Sequence, residues 1–405
     1  MALTALSAGR TVALMCVAEA FSMLGFATFP ALLPLMRDMW QLSGTEAGWI
    51  AGAYFGGYML AVPLLSSLTD RLDARRVYLG SSLLAAAGLG GFAVFAEGPL
   101  TAGLFQAVSG AGLAGTYMPG LRLLADRIGG SRQSRYVAFY TSTFGIGTSA
   151  SLLLAGWSAD AFGWQAAFAL AALGPMVAGT IVFGALPATP PALAGTAEPA
   201  MPVASLLADR AVRGYVLGYA AHCWELFGLR SWMVAFVAFC YALDPASAGA
   251  IAPATVAALI NLLGQPASIL GNEIAVRIGR RRLIFAAMLA SASLAWITGF
   301  AGSLAWWLAL LLLVIYNTAV MADSAALTAG LVAITPVARR GAAMALYSFL
   351  GFGAGFVSPL AFGAVLDAVG GKNDPAAWGL AFASLGFFCA LAPLALFRAT
   401  PARRE

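Results

Sequence analysis

Charge is scarce in this chain. Asp, Glu, Lys and Arg make up 10% of its 405 residues, against 61% for AVILMFWYC. With a mean hydropathy of +0.86, no solvated globular surface can be assembled, since ordinary soluble domains draw on about 25% charged residues. The bilayer must therefore be the solvent. Histidine is scarcer still, a single residue, and the four cysteines, Cys16, Cys223, Cys240 and Cys389, lie inside apolar runs without CxxC or Cys/His spacing. A metal centre or a nucleophile–base pair has little to be built from, so the cysteines read as packing residues and neither cofactor nor enzymatic activity is expected. Nucleotide-binding motifs are missing too. The glycine-rich stretches 144–147 and 351–355 link no soluble strand to a helix, so they read as places where helices pack closely and bend rather than as phosphate loops.

What the chain has in abundance is apolar runs of membrane-spanning length, about 20 residues each. Twelve are expected, at 11–36, 46–68, 77–96, 99–124, 138–158, 165–186, 212–241, 248–271, 283–301, 304–333, 341–367 and 376–397. They are continuously apolar, which favours helices over the short alternating segments of a barrel. The first run follows Arg10 and contains Ala18-Glu19-Ala20, which looks like a signal-peptide cleavage site, but the apolar stretch before it is too short, so it is kept as a helix. The net charge of +5 reports topology rather than nucleic-acid binding. Of the 22 basic residues, all but Arg37, Lys372 and Arg230 fall in the termini and alternate loops, which places both termini in the cytoplasm.

An internal repeat organises these runs. A shift of 206 residues carries Arg71, Arg75 and Arg76 onto Arg277, Arg281 and Arg282, and Glu19 onto Glu225; at 207, Arg132 meets Arg339, Tyr140 meets Tyr347 and Asp160 meets Asp367. Seven extra residues then precede Trp378-x-x-x-Phe382, which answers Trp164-x-x-x-Phe168. With arginine this scarce, duplication is the simpler explanation. The expected organisation is a six-helix bundle over 1–186, a Pro- and Ala-rich cytoplasmic linker over 187–209, and a second six-helix bundle over 210–405, related by an axis along the membrane normal.

The loop after the second run reads Ser66-Ser67-Leu68-Thr69-Asp70-Arg71-Leu72-Asp73-Ala74-Arg75-Arg76, and its second-half copy reads Asn272-Glu273-Ile274-Ala275-Val276-Arg277-Ile278-Gly279-Arg280-Arg281. Both resemble the G-x-L-A-D-R-x-G-R-R loop of the major facilitator superfamily, although the first copy lacks both glycines and the second lacks the aspartate. The resemblance implies an all-α membrane fold of two pseudo-symmetric six-helix bundles. Asp70 with Arg71, Arg75, Arg76 and Arg277 would form a conformational switch, unless these charges only set topology. The segment 218–232 is similar to helix 7 of cyanate-permease-like members, which implies a small anion or organic acid as substrate. Thr148 and Gln106 stand where the family's antiporter motifs carry Gly-Pro and arginine, and count against multidrug/proton antiport.

Ionisable groups inside spanning helices cost roughly 2.5–3.5 kcal/mol on insertion scales and are functional candidates by default. They are Glu19 in helix 1, His222, Glu225 and Arg230 in helix 7, and Asp323 in helix 10. At about 100° per residue, His222 and Glu225 lie about 60° apart and Arg230 about 80° to the other side, one broad face. Glu19, His222 and Glu225 can carry a proton; alternatively Glu225 forms a fixed pair with Arg230 or His222. Arg230 either presents paired donors to an anion or offsets Glu225. Asp323 either contacts substrate or caps a kink near Asn317. Tyr54, Tyr58, Tyr117, Asn261, Gln265, Tyr316 and Asn317 are secondary candidates, most of them helix–helix glue.

The resulting expectation is a secondary transporter of a bacterial inner membrane that works by alternating access around helices 1, 4, 7 and 10 and takes up a small anion or organic acid with protons. Its partners would be substrate, protons and lipid, not nucleic acid, and it would be a monomer. Efflux of an amphipathic drug-like compound is the alternative within this class, and a receptor or scaffold that binds without transport is the alternative outside it.

Overall fold

The computed structural model describes residues 7–128, 133–188, 203–247, 250–336 and 339–398. Among these the regular structure is all helical: α1 (Ala8–Ser22), a 3-10 turn (Met23–Gly25), α2 (Thr28–Trp40), α3 (Gly44–Leu68), α4 (Ala74–Phe95), α5 (Pro99–Arg127), α6 (Gln133–Phe162), α7 (Trp164–Ala185), α8 (Val203–Ala208), α9 (Arg210–Leu243), α10 (Pro253–Ile278), α11 (Arg280–Ala301), α12 (Trp306–Ala322), α13 (Ser324–Ile334), α14 (Arg340–Val369) and α15 (Pro375–Arg398). Each expected run is occupied, α1 with α2 filling the first and α12 with α13 the tenth.

Ten helical stretches among the described residues are long and apolar enough to cross a membrane, and the chain is a multi-pass membrane protein. The helices α5 and α6 fall outside that ten, because glycines in α5 and serines and threonines in α6 dilute their apolarity. Prolines inside α2, α3, α5, α7, α10, α14 and α15 are tolerated where neighbouring helices re-satisfy the freed carbonyls. Leu64 and Leu100, 71% and 79% exposed, belong to faces suited to hydrocarbon rather than water.

Several boundaries differ from expectation. The eighth helix begins later than 248 because Pro253 takes an opening position, which suits its fixed φ and missing N–H. It runs on through Arg277, expected in a loop, until Gly279 turns the chain at φ 95°. Arg37, expected outside a helix, lies in the last turn of α2, 6% exposed, with its guanidinium 5.5 Å from the ring centre of Trp232. Of the linker 187–209, Pro187 accepts from Arg127 at 2.7 Å, residues 203–208 form α8, and Asp209 caps α9 through Ala211 N at 2.9 Å. Residues 189–202 of it lie outside the described residues.

Packing divides the chain into two compact units, Met1–Leu32 with Ala53–Ala197 and Leu33–Gly52 with Glu198–Glu405. In the first, α4 packs on α5 and α7, and α1 on α6 and α7. Its core includes Met15, Ala18, Tyr78, Leu123, Tyr140 and Val182, with Phe92 stacked on Phe168 at 3.8 Å. In the second, α9 lies against α14 and α15, α11 against α15, and α10 against α12. The segment 33–52 is seated on α14. A Cβ at Gly48 would stand 2.2 Å from the carbonyl oxygen of Pro359, and Asp367 accepts from Gly44 N at 2.6 Å and Thr45 N at 2.7 Å, capping α3 from another helix.

Candidate functional site

The membrane-buried ionisable groups fall into two clusters, one in each unit. In the first, α1 carries Glu19 inward with no exposed surface. Its Oε2 accepts from the Tyr140 hydroxyl of α6 at 2.9 Å and from Ser22 Oγ at 3.3 Å, while Oε1 has no hydrogen-bond partner. Both donors have second acceptors: Tyr140 reaches the Tyr117 carbonyl at 3.1 Å, and Ser22 reaches the Glu19 carbonyl at 3.0 Å. Tyr117 stacks on Tyr140, and Tyr54 packs edge-on against Phe26. Tyr58 is buried in the same unit.

The second cluster is built on α9. His222, Glu225 and Arg230 are 2%, 2% and 7% exposed, as expected of one broad inward face. Their partners differ from those expected. Glu225 is bound to neither His222 nor Arg230; Oε1 accepts from Tyr316 of α12 at 3.0 Å and Oε2 from Ser291 of α11 at 2.7 Å. Nδ1 of His222 instead meets Oδ1 of Asp323 at 2.7 Å, an ion-pair contact whenever the imidazole is protonated. Arg230 donates Nε to Oδ1 of Asn261 at 3.0 Å and approaches Sδ of Met321 at 3.8 Å. The helical interruption is at Asp323 itself, between α12 and α13, rather than near Asn317, which donates to the Ile260 carbonyl on α10 at 2.9 Å. Beside the break the helices nearly touch, and a Cβ at Gly271 would lie 1.9 Å from the Ala322 carbonyl oxygen. Gln265 donates to its own helix through the Asn261 carbonyl.

The loop charges arrange themselves locally. Asp70 forms an ion pair with Arg122 of α5, not with Arg71, Arg75 or Arg76. Arg75 instead holds Asp73 at 2.7 Å and donates to the Leu186 carbonyl at 2.6 Å. Asp73, rather than Asp70, caps a neighbouring helix, accepting from Arg75 N at 3.0 Å at the start of α4. Partial burial works to raise the Asp73 carboxyl, but its hydrogen bonds and ion pair with Arg75 outweigh that and hold it below the ordinary range. Arg71, Arg76 and Arg277 are exposed.

Sequence reasoning passed over Ser22, Ser291 and Tyr219, whose residue types are common in membrane helices. Tyr140 and Tyr347 had a signal in their coincidence at the repeat offset. Tyr219 stacks on Tyr347 at 3.6 Å and lies parallel to His222 at 5.9 Å, and the Tyr347 hydroxyl meets Oγ1 of Thr328 on α13 at 2.9 Å.

Known proteins share this architecture. A bacterial homologue of the human lysosomal transporter Spinster, inward-facing and unoccupied, superposes at a TM-score of 0.72 with 14% identity over 97% of this chain and 95% of its own. The nucleoside transporter NupG superposes at 0.71 with 16% identity over 95% and 98%. In sequence, a Bacillus subtilis (strain 168) protein named for niacin/nicotinamide transport, NiaP, is 25% identical over 142 residues, and the match spans about a third of either chain, 35%. The Major Facilitator Superfamily model matches residues 15–322, from within α1 to the end of α12, and this chain belongs to that superfamily.

Proposed function

We propose that this member of the superfamily imports a small anion or organic acid together with protons, by alternating access in a bacterial inner membrane, as a monomer with both termini in the cytoplasm. The observation that carries the reading is Arg230. A guanidinium buried in a spanning helix is costly and so marks a functional candidate; here its Nε donates to Oδ1 of Asn261 and it approaches Sδ of Met321. A planar fork of donors held in that way suits a carboxylate or small oxyanion. Glu19, Glu225 and the His222–Asp323 pair supply titratable groups for proton coupling. The ion pair between Asp70 and Arg122 ties the end of α3 to α5 and would act as the switch contact. The Bacillus relative carries the name of a niacin/nicotinamide transporter, and of those two compounds niacin is a small carboxylate while nicotinamide is neutral.

Uptake by proteoliposomes under an imposed pH gradient, inside alkaline, against a panel of small carboxylates and inorganic oxyanions tests the reading. Arg230→Gln should raise the half-saturating concentration about 30-fold or more, the equivalent of at least about 2 kcal/mol of charge-assisted binding. Unchanged uptake in that variant would remove Arg230 from the site. Exchange restricted to cationic amphipathic dyes would favour efflux instead.

A further inference from the structure

We infer that the coupling proton is carried by the His222–Asp323 pair, at the junction of α12 and α13, and that Glu225 serves as a structural acceptor. The inference rests on the proton-coupled reading above and narrows it to one pair of atoms.

The geometry separates the two sites on α9. Both oxygens of Glu225 already receive hydroxyl donors, from Tyr316 and Ser291, so its environment is complete as it stands. Asp323 differs, because the group its Oδ1 meets, at 2.7 Å, is the imidazole Nδ1 of His222 rather than a hydroxyl. Two lone pairs at that separation repel, so a proton must sit on one of the two atoms. With the imidazole fully protonated and the carboxylate ionised, the pair is neutral overall, as burial at 2% and 3% exposure requires. Loss of one proton to water leaves a single net negative charge in the same space.

That charge would have company. The titratable groups facing the pair are Tyr219, Cys223 and Glu225 on α9, Tyr347 on α14 and Cys389 on α15, and Glu225, Cys223, Tyr347 and Cys389 each interact electrostatically with Asp323. A net negative pair beside a second carboxyl is unfavourable in a dry site, so proton release is tied to admission of water around Asp323.

The position of Asp323 gives that event a lever. It is the single residue between α12 and α13, where its N–H leaves the ordinary helical ladder while the backbone stays near helical angles, φ −93° and ψ −14°. The pair therefore pins α9 to that junction. The stack of Tyr219 on Tyr347, with the Tyr347 hydroxyl against Thr328, ties α9, α13 and α14 around the same point. Release of the contact would loosen α13 from α9 at Asp323, while α12 stays bound to α10 through Asn317.

Two measurements test the pair, the first without any substrate. Histidine labelled with nitrogen-15 reports on one imidazole, through its two ring nitrogens, because the chain has a single histidine. Asp323→Asn in the full-length protein should shift the ring Nδ1 resonance at a fixed pH, because that atom loses the carboxylate oxygen it meets at 2.7 Å. An unmoved Nδ1 resonance would overturn the pairing.

The second uses proteoliposomes and whichever carboxylate or oxyanion of the panel the wild-type protein takes up. In His222→Gln and Asp323→Asn, accumulation driven by a pH gradient should fall at least about tenfold further than counterflow exchange, in the range of ordinary coupling free energies. Equal losses of both in folded protein would assign the pair to substrate binding and overturn the inference, as would pH-driven accumulation that survives in both variants. If no panel member is transported, the import reading fails, and the histidine resonances decide the pair on their own.

Discussion

Glu19 and Glu225 are equivalent by the internal repeat, yet the two units treat them differently. In the first unit a tyrosine of α6 and a serine of α1 approach one oxygen of Glu19, and the other has no partner. In the second, hydroxyls from α11 and α12 occupy both oxygens of Glu225. Tyr347, the counterpart of Tyr140, leaves the carboxylate altogether and stacks on Tyr219. The two carboxylates fall 206 residues apart in matching helices, but hydroxyls from different helices surround them. His222 and Arg230 answer to Cys16 and Leu24 in the first unit, so the added ionisable chemistry lies entirely on the second side.

The sharpest way to break that comparison is to remove each carboxylate. Glu225→Leu strands the Tyr316 hydroxyl, for which Glu225 is the recorded acceptor, and also takes a partner from Ser291, which keeps the Met288 carbonyl. Two lost hydrogen bonds and one unsatisfied buried hydroxyl should cost about 2–4 kcal/mol. Glu19→Leu strands neither donor, since Tyr140 retains the Tyr117 carbonyl and Ser22 its own helix. Its cost should stay within about 1 kcal/mol. Unfolding of both variants in detergent measures the gap, and equal destabilisation would mean that the two environments are equivalent after all.

The repeated loops make a second comparison. The shift that aligns Arg71 with Arg277 also aligns Asp73 with Gly279. Both residues stand immediately before a helix, but they close the turn by different means. Asp73 has φ −53° and caps α4 with its side chain, whereas Gly279 has φ 95° and no side-chain cap. Gly279→Ala should therefore cost about 1–3 kcal/mol of backbone strain, and Asp73→Ala about 1 kcal/mol of lost capping. The order of the two thermal shifts checks the assignment. A reversed order would show that the Arg75 contacts, rather than the cap, dominate the first loop.

How much of this was legible beforehand follows from what each level depends on. Hydrocarbon demands long apolar runs, so the helices and their order could be read from composition alone. Helix ends could not, because a helix continues past the membrane boundary wherever its caps allow: α10 runs through Glu273 and Arg277 to Gly279 although its apolar run stops at 271. Site residues stood out because charge is rare in such runs, which drew attention to Glu19, His222, Glu225, Arg230 and Asp323. Their pairing was invisible. Asp323 lies about a hundred residues from His222, and the rotation of α9 against the α12–α13 junction, set by packing, decides which carboxylate the imidazole meets. The hydroxyls on the glutamates belong to residue types too common in membrane helices to signal anything alone. Arg37 was missed for the opposite reason, since a charge at a helix end looks solvated until Trp232 is found over it.

The smallest expected effect, on pH, follows from the same pair of loops. Asp73 titrates below the ordinary range, because its contacts with Arg75 outweigh the burial that opposes them. A carboxyl depressed in the folded state stabilises it above the unfolded-state value, about 3.9 for aspartate. That contribution fades as pH falls through the lower folded value. Acid unfolding in detergent below about pH 4 should therefore include a component that Asp73→Asn removes. The aligned position in the second half is Gly279, which cannot titrate, so Gly279→Ala should lower stability by the same amount at pH 7 and in acid. A pH-dependent effect of the glycine substitution, or a pH-independent effect of the asparagine, would show that the two loops are not divided into a charged turn and a backbone turn.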